Sequence, residues 1–272
     1  MTDVVNLINH RVPGSHIAYY IPNFVSEYEE EHLIRKILES PHQFWKDLPN
    51  RRYLVCTPAL DSTDTSERGQ VEGYPPRTYS SLKTSRPSSR TYLVTRIRDT
   101  GAFQSSPHGA PNHIILNEYK PGQGIMPHED GPTYHPVVAT LSLGSHAVFH
   151  YYKYKPEEEK GVAPSTTAIF SASTGLGRAI DKEPVMSLLL EPRSLVITTS
   201  DLYTSHLHGI DDVREDTFGP EYGPPMANVE LLADAELKEA VQKGGTLERE
   251  TRYSLTCRDV EKVAARLAPL RR

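Results

Sequence analysis

Sulfur is scarce in this chain: two cysteines, Cys56 and Cys257, in 272 residues. That excludes a disulfide-framed domain and a thiolate zinc site, both of which need more cysteine. It fits a reducing compartment, and the expectation is cytoplasm and nucleus. Long apolar runs are missing too. No stretch reaches the roughly 18 apolar residues that a membrane-crossing helix needs, so no membrane partner is expected. The opening MTDVVNLINHRVPG lacks the basic-then-apolar pattern of a secretory signal. An excess of basic charge is also absent: 30 Lys and Arg face 35 Asp and Glu, for a net charge of −5. Any attraction to nucleic acid must therefore be local. Internal repeats are not found. What is plentiful is proline, 22 residues, and histidine, 12. The prolines predict long irregular connections. At 37% hydrophobic content, the length suits one domain with a substantial core, read as 1–272 and monomeric.

Residues 16–24 (HIAYYIPNF) are rich in aromatic and β-branched side chains and read as a strand. Ser26 followed by Glu29 is a capping box, and a helix with Tyr28, Leu33 and Ile37 on its apolar stripe should follow. Residues 56–90, rich in Ser, Thr, Pro and Arg, read as a long surface loop or lid. Across Arg77–Arg98 lie Arg77, Lys83, Arg86, Arg90, Arg96 and Arg98 without an acid. That is either a solvated loop or a phosphate-contacting surface, to which Arg51 and Arg52 would add. From residue 113 short strands take over: 113–119, 137–143, 146–152, 185–191, 194–199 and 252–258. Gly/Pro turns separate most of them, which argues for a mainly β fold, an antiparallel sandwich or jelly roll. The division expected is an N-terminal extension and lid over 1–110, a jelly-roll core over 111–258 and a C-terminal tail over 259–272. Two insertions, 156–184 and 211–249, interrupt the core, the second with a helix near 229–242. The tail should be helical over 260–267.

His128-Glu129-Asp130 is an H-x-D step. On extended backbone, residues i and i+2 point the same way, so an imidazole and a carboxylate can meet one metal. His208, just after the strand 194–199, is the best third ligand. Two His and one carboxylate on one face of an octahedron leave three positions open, the geometry of non-haem Fe(II) oxygenases. H-x-D by itself also arises by accident in a histidine-rich chain. His206, two residues from His208, could be mistaken for that ligand. His135, His146 and His150 read as surface or supporting residues, His113 as lacking a partner, and Glu129 as pointing away from the metal.

In RYSLTCR (252–258), Arg252, Ser254, Thr256 and Arg258 share one strand face, while Tyr253, Leu255 and Cys257 share the other. Two arginines inside a barrel are costly unless they meet anions. Their forks match carboxylates, so a dicarboxylate such as 2-oxoglutarate would satisfy that face. A solvent-exposed edge strand is the other reading. Asn117 and Tyr119 share a face of HIILNEY, where they are either cosubstrate contacts or ordinary sheet polar residues.

NEYKPGQGIMPHEDGP, TLSLGSHAVF, SLLLEPRSL, HGI and RYSLTCR, in that order, resemble the AlkB-type Fe(II)/2-oxoglutarate dioxygenases, and most of all their homologue-six branch. The resemblance runs from about residue 15 to 260, including YYIPNF and Trp45. It implies a double-stranded β-helix with flanking N-terminal helices. It implies Fe(II), 2-oxoglutarate and O2 as cofactors, with His128, Asp130 and His208 as iron ligands. Arg252 would meet the distal carboxylate of 2-oxoglutarate, and Arg258 would lie near its keto-acid end. Asn117, Tyr119 and Thr256 would contact the same cosubstrate. Ser254 stands where the bacterial enzyme carries Asn. The implied chemistry is hydroxylation or oxidative dealkylation, with release of succinate and CO2. N-alkylated bases of nucleic acid, single-stranded or flipped, are the leading substrate. A protein or small-molecule substrate, or a non-catalytic binding module, are the alternatives.

Overall fold

The computed structural model describes residues 6–56, 89–155 and 178–261. In chain order the strands are β1 (Ala18–Ile21), β2 (Lys46–Leu48), β3 (Arg51–Cys56), β4 (His113–Tyr119), β5 (Ile125–His128), β6 (Tyr134–Leu143) and β7 (Ala147–Tyr152). They continue with β8 (Met186–Leu190), β9 (Leu195–Thr199), β10 (Leu207–Ile210), β11 (Glu215–Thr217), β12 (Thr246–Glu248) and β13 (Arg252–Val260). The helices are α1 (Glu27–Leu38), α2 (Ser89–Asp99), α3 (Ser200–Thr204) and α4 (Ala235–Lys243).

Two antiparallel sheets carry the fold. The major one has seven strands, ordered β1-β9-β6-β13-β4-β3-β2, and the minor one has four, ordered β5-β10-β7-β8. This is the jelly roll expected from the short, turn-bounded strands. β13 lies mid-sheet, with Ser254 opposite both Asn117 of β4 and Ser142 of β6. The edge-strand reading of RYSLTCR is thereby excluded. Its alternation holds: Tyr253, Leu255 and Cys257 are buried with Ile37 of α1, Leu93 and Ile97 of α2, and Phe103. Cys257 is fully buried and packs there as a small hydrophobe.

α1 begins with the capping box: Ser26 Oγ accepts from Glu29 N, and Glu29 accepts from Ser26 N. Ile37 is buried, but Tyr28 is 77% exposed. The stripe turns instead through Glu30, which accepts from Gly144 N at 2.8 Å and pairs with Arg193 at 3.2 Å. The basic segment also needs correcting. Its end is α2, docked through Leu93 and Ile97, and Arg96 pairs with Glu29 while stacking over Phe24. Residues 57–88, holding most of the expected lid with Arg77, Lys83 and Arg86, lie outside the described residues, as do 156–177 of the first insertion.

The second insertion, 211–249, is folded against the minor sheet. Asn228 accepts from Leu189 N and donates to Leu189 O, occupying the free edge of β8. The helix expected over 229–242 is broken. A 3-10 turn, Val229–Leu231, precedes α4. The break falls where the Ala233 and Asp234 amides donate to the buried carboxylate of Glu191, and Asp234 then caps α4. The strand read over 16–24 shortens to β1, because Asn23 takes a left-handed turn. The expected C-terminal helix is pre-empted as far as Val260 by β13, and residues 262–272 lie outside the described residues.

Candidate metal centre

β5 ends at His128, and Asp130 follows two residues later. β10 pairs antiparallel with β5, so His208 sits directly opposite His128. The two strands come close because position 124 carries no side chain: a Cβ on Gly124 would run into the Ile210 and Asp211 carbonyls. One ligand-type atom from each of His128, Asp130 and His208 lies within 4.8 Å of the other two. The imidazole centroids are 4.4 Å apart, and His208 Nε2 is 3.7 Å from Asp130 Oδ1.

Neighbouring groups fix each member. His128 Nδ1–H donates to the Met126 carbonyl at 2.9 Å, which leaves the Nε2 lone pair free. His208 stacks on Phe149 with centroids 5.3 Å apart. Arg258 donates to Asp130 Oδ1, while Asp130 Oδ2 is buried with no hydrogen-bond partner among the described residues. Burial drives His208 down to about 4 and lowers His128, so both imidazoles are neutral at pH 7.

Arg252 and Ser254 are 3% exposed. The Arg252 guanidinium donates one N–H to Ser142 Oγ at 2.9 Å and lies 5.6 Å from the Tyr119 ring centroid. Its Nε and Nη1 are buried without partners among the described residues. Burial lowers its pKa to about 10. Asn117 is buried and accepts from Arg51 Nε at 3.2 Å. Thr256 shares the face of Ser254 and is partly exposed. The nine residues singled out for iron and cosubstrate thus fall on the inner faces of β4 and β13 and at the ends of β5 and β10.

Several neighbours went unnoticed in the sequence. Ser142, opposite Ser254 on β6, is one, and the second insertion's contribution carried no sequence pattern. Arg249 forks onto Asp216 at 2.6 and 2.7 Å, and His146 lies 3.2 Å from the same carboxylate. With Tyr119 and Arg252 they line one small cleft. His146 is therefore a buried partner rather than a surface residue, while His150 is half-buried, 2.7 Å from the fully buried Ser187 Oγ. His113 is buried against the Tyr134 ring, its pKa lowered by burial to about 4. His206 turns its Nδ1–H to the Asp201 carbonyl, and Glu129 is exposed. Of the cations offered for phosphate, Arg52 is committed to Glu118 at 2.5 Å on the opposite sheet face, and Arg98 to Asp99.

Residues 17–258 match the family model of the 2OG-Fe(II) oxygenase superfamily. The chain belongs to that superfamily. This oxygenase is 34% identical to the Danio rerio protein named Probable RNA/DNA demethylase ALKBH6, over 90% of this chain and 86% of that one. It is 31% identical to protein L905 of Acanthamoeba polyphaga mimivirus, over 48% of this chain and 51% of that one. Among solved structures, OsALKBH1 is similar at TM-score 0.48 and 14% identity, covering 91% of this chain and 97% of that one. A Pseudomonas putida prolyl-4-hydroxylase is similar at TM-score 0.45 and 9% identity, covering 91% and 94%. As an oxygenase of this superfamily the chain takes Fe(II), 2-oxoglutarate and O2. Its residues fit them. An orphaned carboxylate oxygen beside two neutral imidazoles suits a divalent cation, and an orphaned, buried guanidinium suits a carboxylate.

Proposed function

We propose that this oxygenase oxidises N-alkyl groups on nucleic-acid bases, with His128, Asp130 and His208 holding Fe(II) and Arg252 holding the distal carboxylate of 2-oxoglutarate. The observation that carries the site is two buried, oppositely charged groups left unmet among the described residues: Oδ2 of Asp130, and Nε and Nη1 of Arg252. Leaving either unmet in a dry interior is expensive. The substrate half rests on the family and on the name of the Danio rerio relative. The reading includes a monomer working in cytoplasm and nucleus.

Bound Fe(II), with 2-oxoglutarate and O2, supplies oxidising power, converting the keto acid to succinate and CO2 and placing an oxygen atom in a substrate C–H bond. The chain's own groups do the rest. The Met126 carbonyl sets the His128 tautomer so that Nε2 faces the metal position. Arg258 donates to Asp130 Oδ1 and so turns the carboxylate, leaving Oδ2 available. Arg252, braced by Ser142, reads the far end of the keto acid, and Asn117, Tyr119, Ser254 and Thr256 wall the slot between. On an N-methyl group the hydroxylated product collapses to formaldehyde and the bare base.

The test is incubation with Fe(II), 2-oxoglutarate and N-methylated single-stranded oligonucleotides, measuring formaldehyde and the mass of the oligonucleotide. Loss of a methyl group matched by formaldehyde supports the reading. Succinate formation stimulated by a methylated peptide but by no oligonucleotide overturns its substrate half.

A further inference from the structure

A groove lined by Lys153, Tyr154, Arg178, Thr204, Ser205 and His206 opens beside the triad. Strand pairing sets it there. β10 lies between β5 and β7, with His208 opposite His128 and Leu207 opposite Tyr152. His206 is two residues from His208, and Glu129, at the same groove, lies between His128 and Asp130. Whatever lies in the groove therefore passes alongside the reacting position. The groove holds about 690 Å³ of free space, open solvent included. An open trough suits a polymer running through, whereas a small ligand's pocket encloses most of its surface.

Charge says which polymer. Arg52, Arg96, Arg98, Arg193, Arg249 and Arg258 are each paired with a carboxylate. Lys153 and Arg178 are exposed and enter no ion pair among the described residues. They are held close together: Lys155 N donates to Ala179 O and Asp181 N to Lys153 O, each at 2.8 Å, with a bridge between Tyr154 and Ile180. Arg178 lies 4.3 Å above the Tyr154 ring. The ring is thus a platform under the guanidinium, whose edge N–H groups make no hydrogen bond among the described residues. The exposed Thr204 and Ser205 hydroxyls add neutral donors. Two unpaired cations with hydroxyls along an open trough match a phosphodiester chain.

We propose that this groove carries the sugar–phosphate backbone of a single-stranded nucleic acid, with Lys153 and Arg178 each on a phosphate flanking the nucleotide offered to the triad. The proposal rests on the nucleic-acid reading above and adds the path of the strand. Fluorescence anisotropy of labelled single-stranded oligonucleotides across a salt series tests it, comparing wild type with Lys153→Glu/Arg178→Glu and with Lys153→Gln/Arg178→Gln. Lys243→Glu, on α4 and paired with Glu239, controls for net charge, and thermal melts check folding. The expected result is weaker binding of every sequence in both double variants. The slope of log affinity against log salt should also fall by about 1.4, two contacts at about 0.7 each, with no change in Lys243→Glu. Equal slopes in wild type and double variants, or the same loss in Lys243→Glu, overturn the groove while leaving the nucleic-acid reading intact. Wild type that binds polyglutamate through these residues but no oligonucleotide overturns both.

Discussion

Arg252 shows how a single residue combines sequence logic with burial. A guanidinium that is 3% exposed and donates one hydrogen bond among the described residues is prepared for an anion. Arg252→Ala should weaken 2-oxoglutarate binding by about 2–5 kcal/mol, the usual loss for one partner of a desolvated charge pair. Arg252→Lys should recover little, because an ammonium cannot make the forked contact. Calorimetric titration of 2-oxoglutarate into the metal-loaded variants checks both, and unchanged affinity refutes the role. His113 offers a separate test by pH. Its pKa is about 4 in the folded chain and about 6.5 when unfolded, so between those values the unfolded state binds the extra proton. His113 therefore contributes stability above pH 6.5 that is lost as pH falls toward 4. His113→Phe should flatten the decline of melting temperature with acid in that window while keeping a ring against Tyr134. An unchanged slope would mean that His113 does not titrate there.

The strands were easier to read than the way they are held. Alternation in RYSLTCR and HIILNEY placed Arg252, Ser254, Asn117 and Tyr119 on one inner face, because a period of two is a property of the strand alone. β5 was missed because it is four residues long and contains Pro127. α2 was missed because Leu93 and Ile97, its two buried anchors, are set among Arg96, Arg98 and polar residues. The β2–β3 hairpin runs directly into the Ser/Thr/Pro-rich stretch, and its Arg52–Glu118 pair spans a separation that no local pattern encodes. The same holds for Glu191, the pin that joins the second insertion to the jelly roll. Its carboxylate accepts from Tyr20 Oη at 2.6 Å and from the Ala233 and Asp234 amides. Glu191→Ala strands three donors and should cost about 3 kcal/mol or more. Hydrogen exchange should show loosening first at residues 226–243, and uniform exchange across the chain would contradict a pin at this position. Gly124→Ala should separate β5 from β10 and weaken metal binding while leaving the major sheet's amide protection intact.

For the whole molecule, one arrangement serves both stability and function. The two sheets enclose a polar face that the described residues leave partly unsatisfied, and on the proposed reading the ligands complete it. Binding to the folded state alone must then raise stability, by about 2.7 kcal/mol when free ligand is at 100 times its dissociation constant. The melting temperature should accordingly rise with Mn(II) as a redox-silent substitute, rise again with 2-oxoglutarate, and fall back with a chelator. The fold class, the strand order of the motifs and the His-x-Asp step were all legible, because they are local or ordered along the chain. Which cations remain free was not, because that depends on partners from distant segments. The most direct measurement of the central claim is succinate formed from 2-oxoglutarate with Fe(II) and O2, in wild type and in His208→Ala. The account predicts turnover in wild type and its loss in the variant, together with loss of the Mn(II)-induced melting shift. Equal turnover in the two proteins would contradict it.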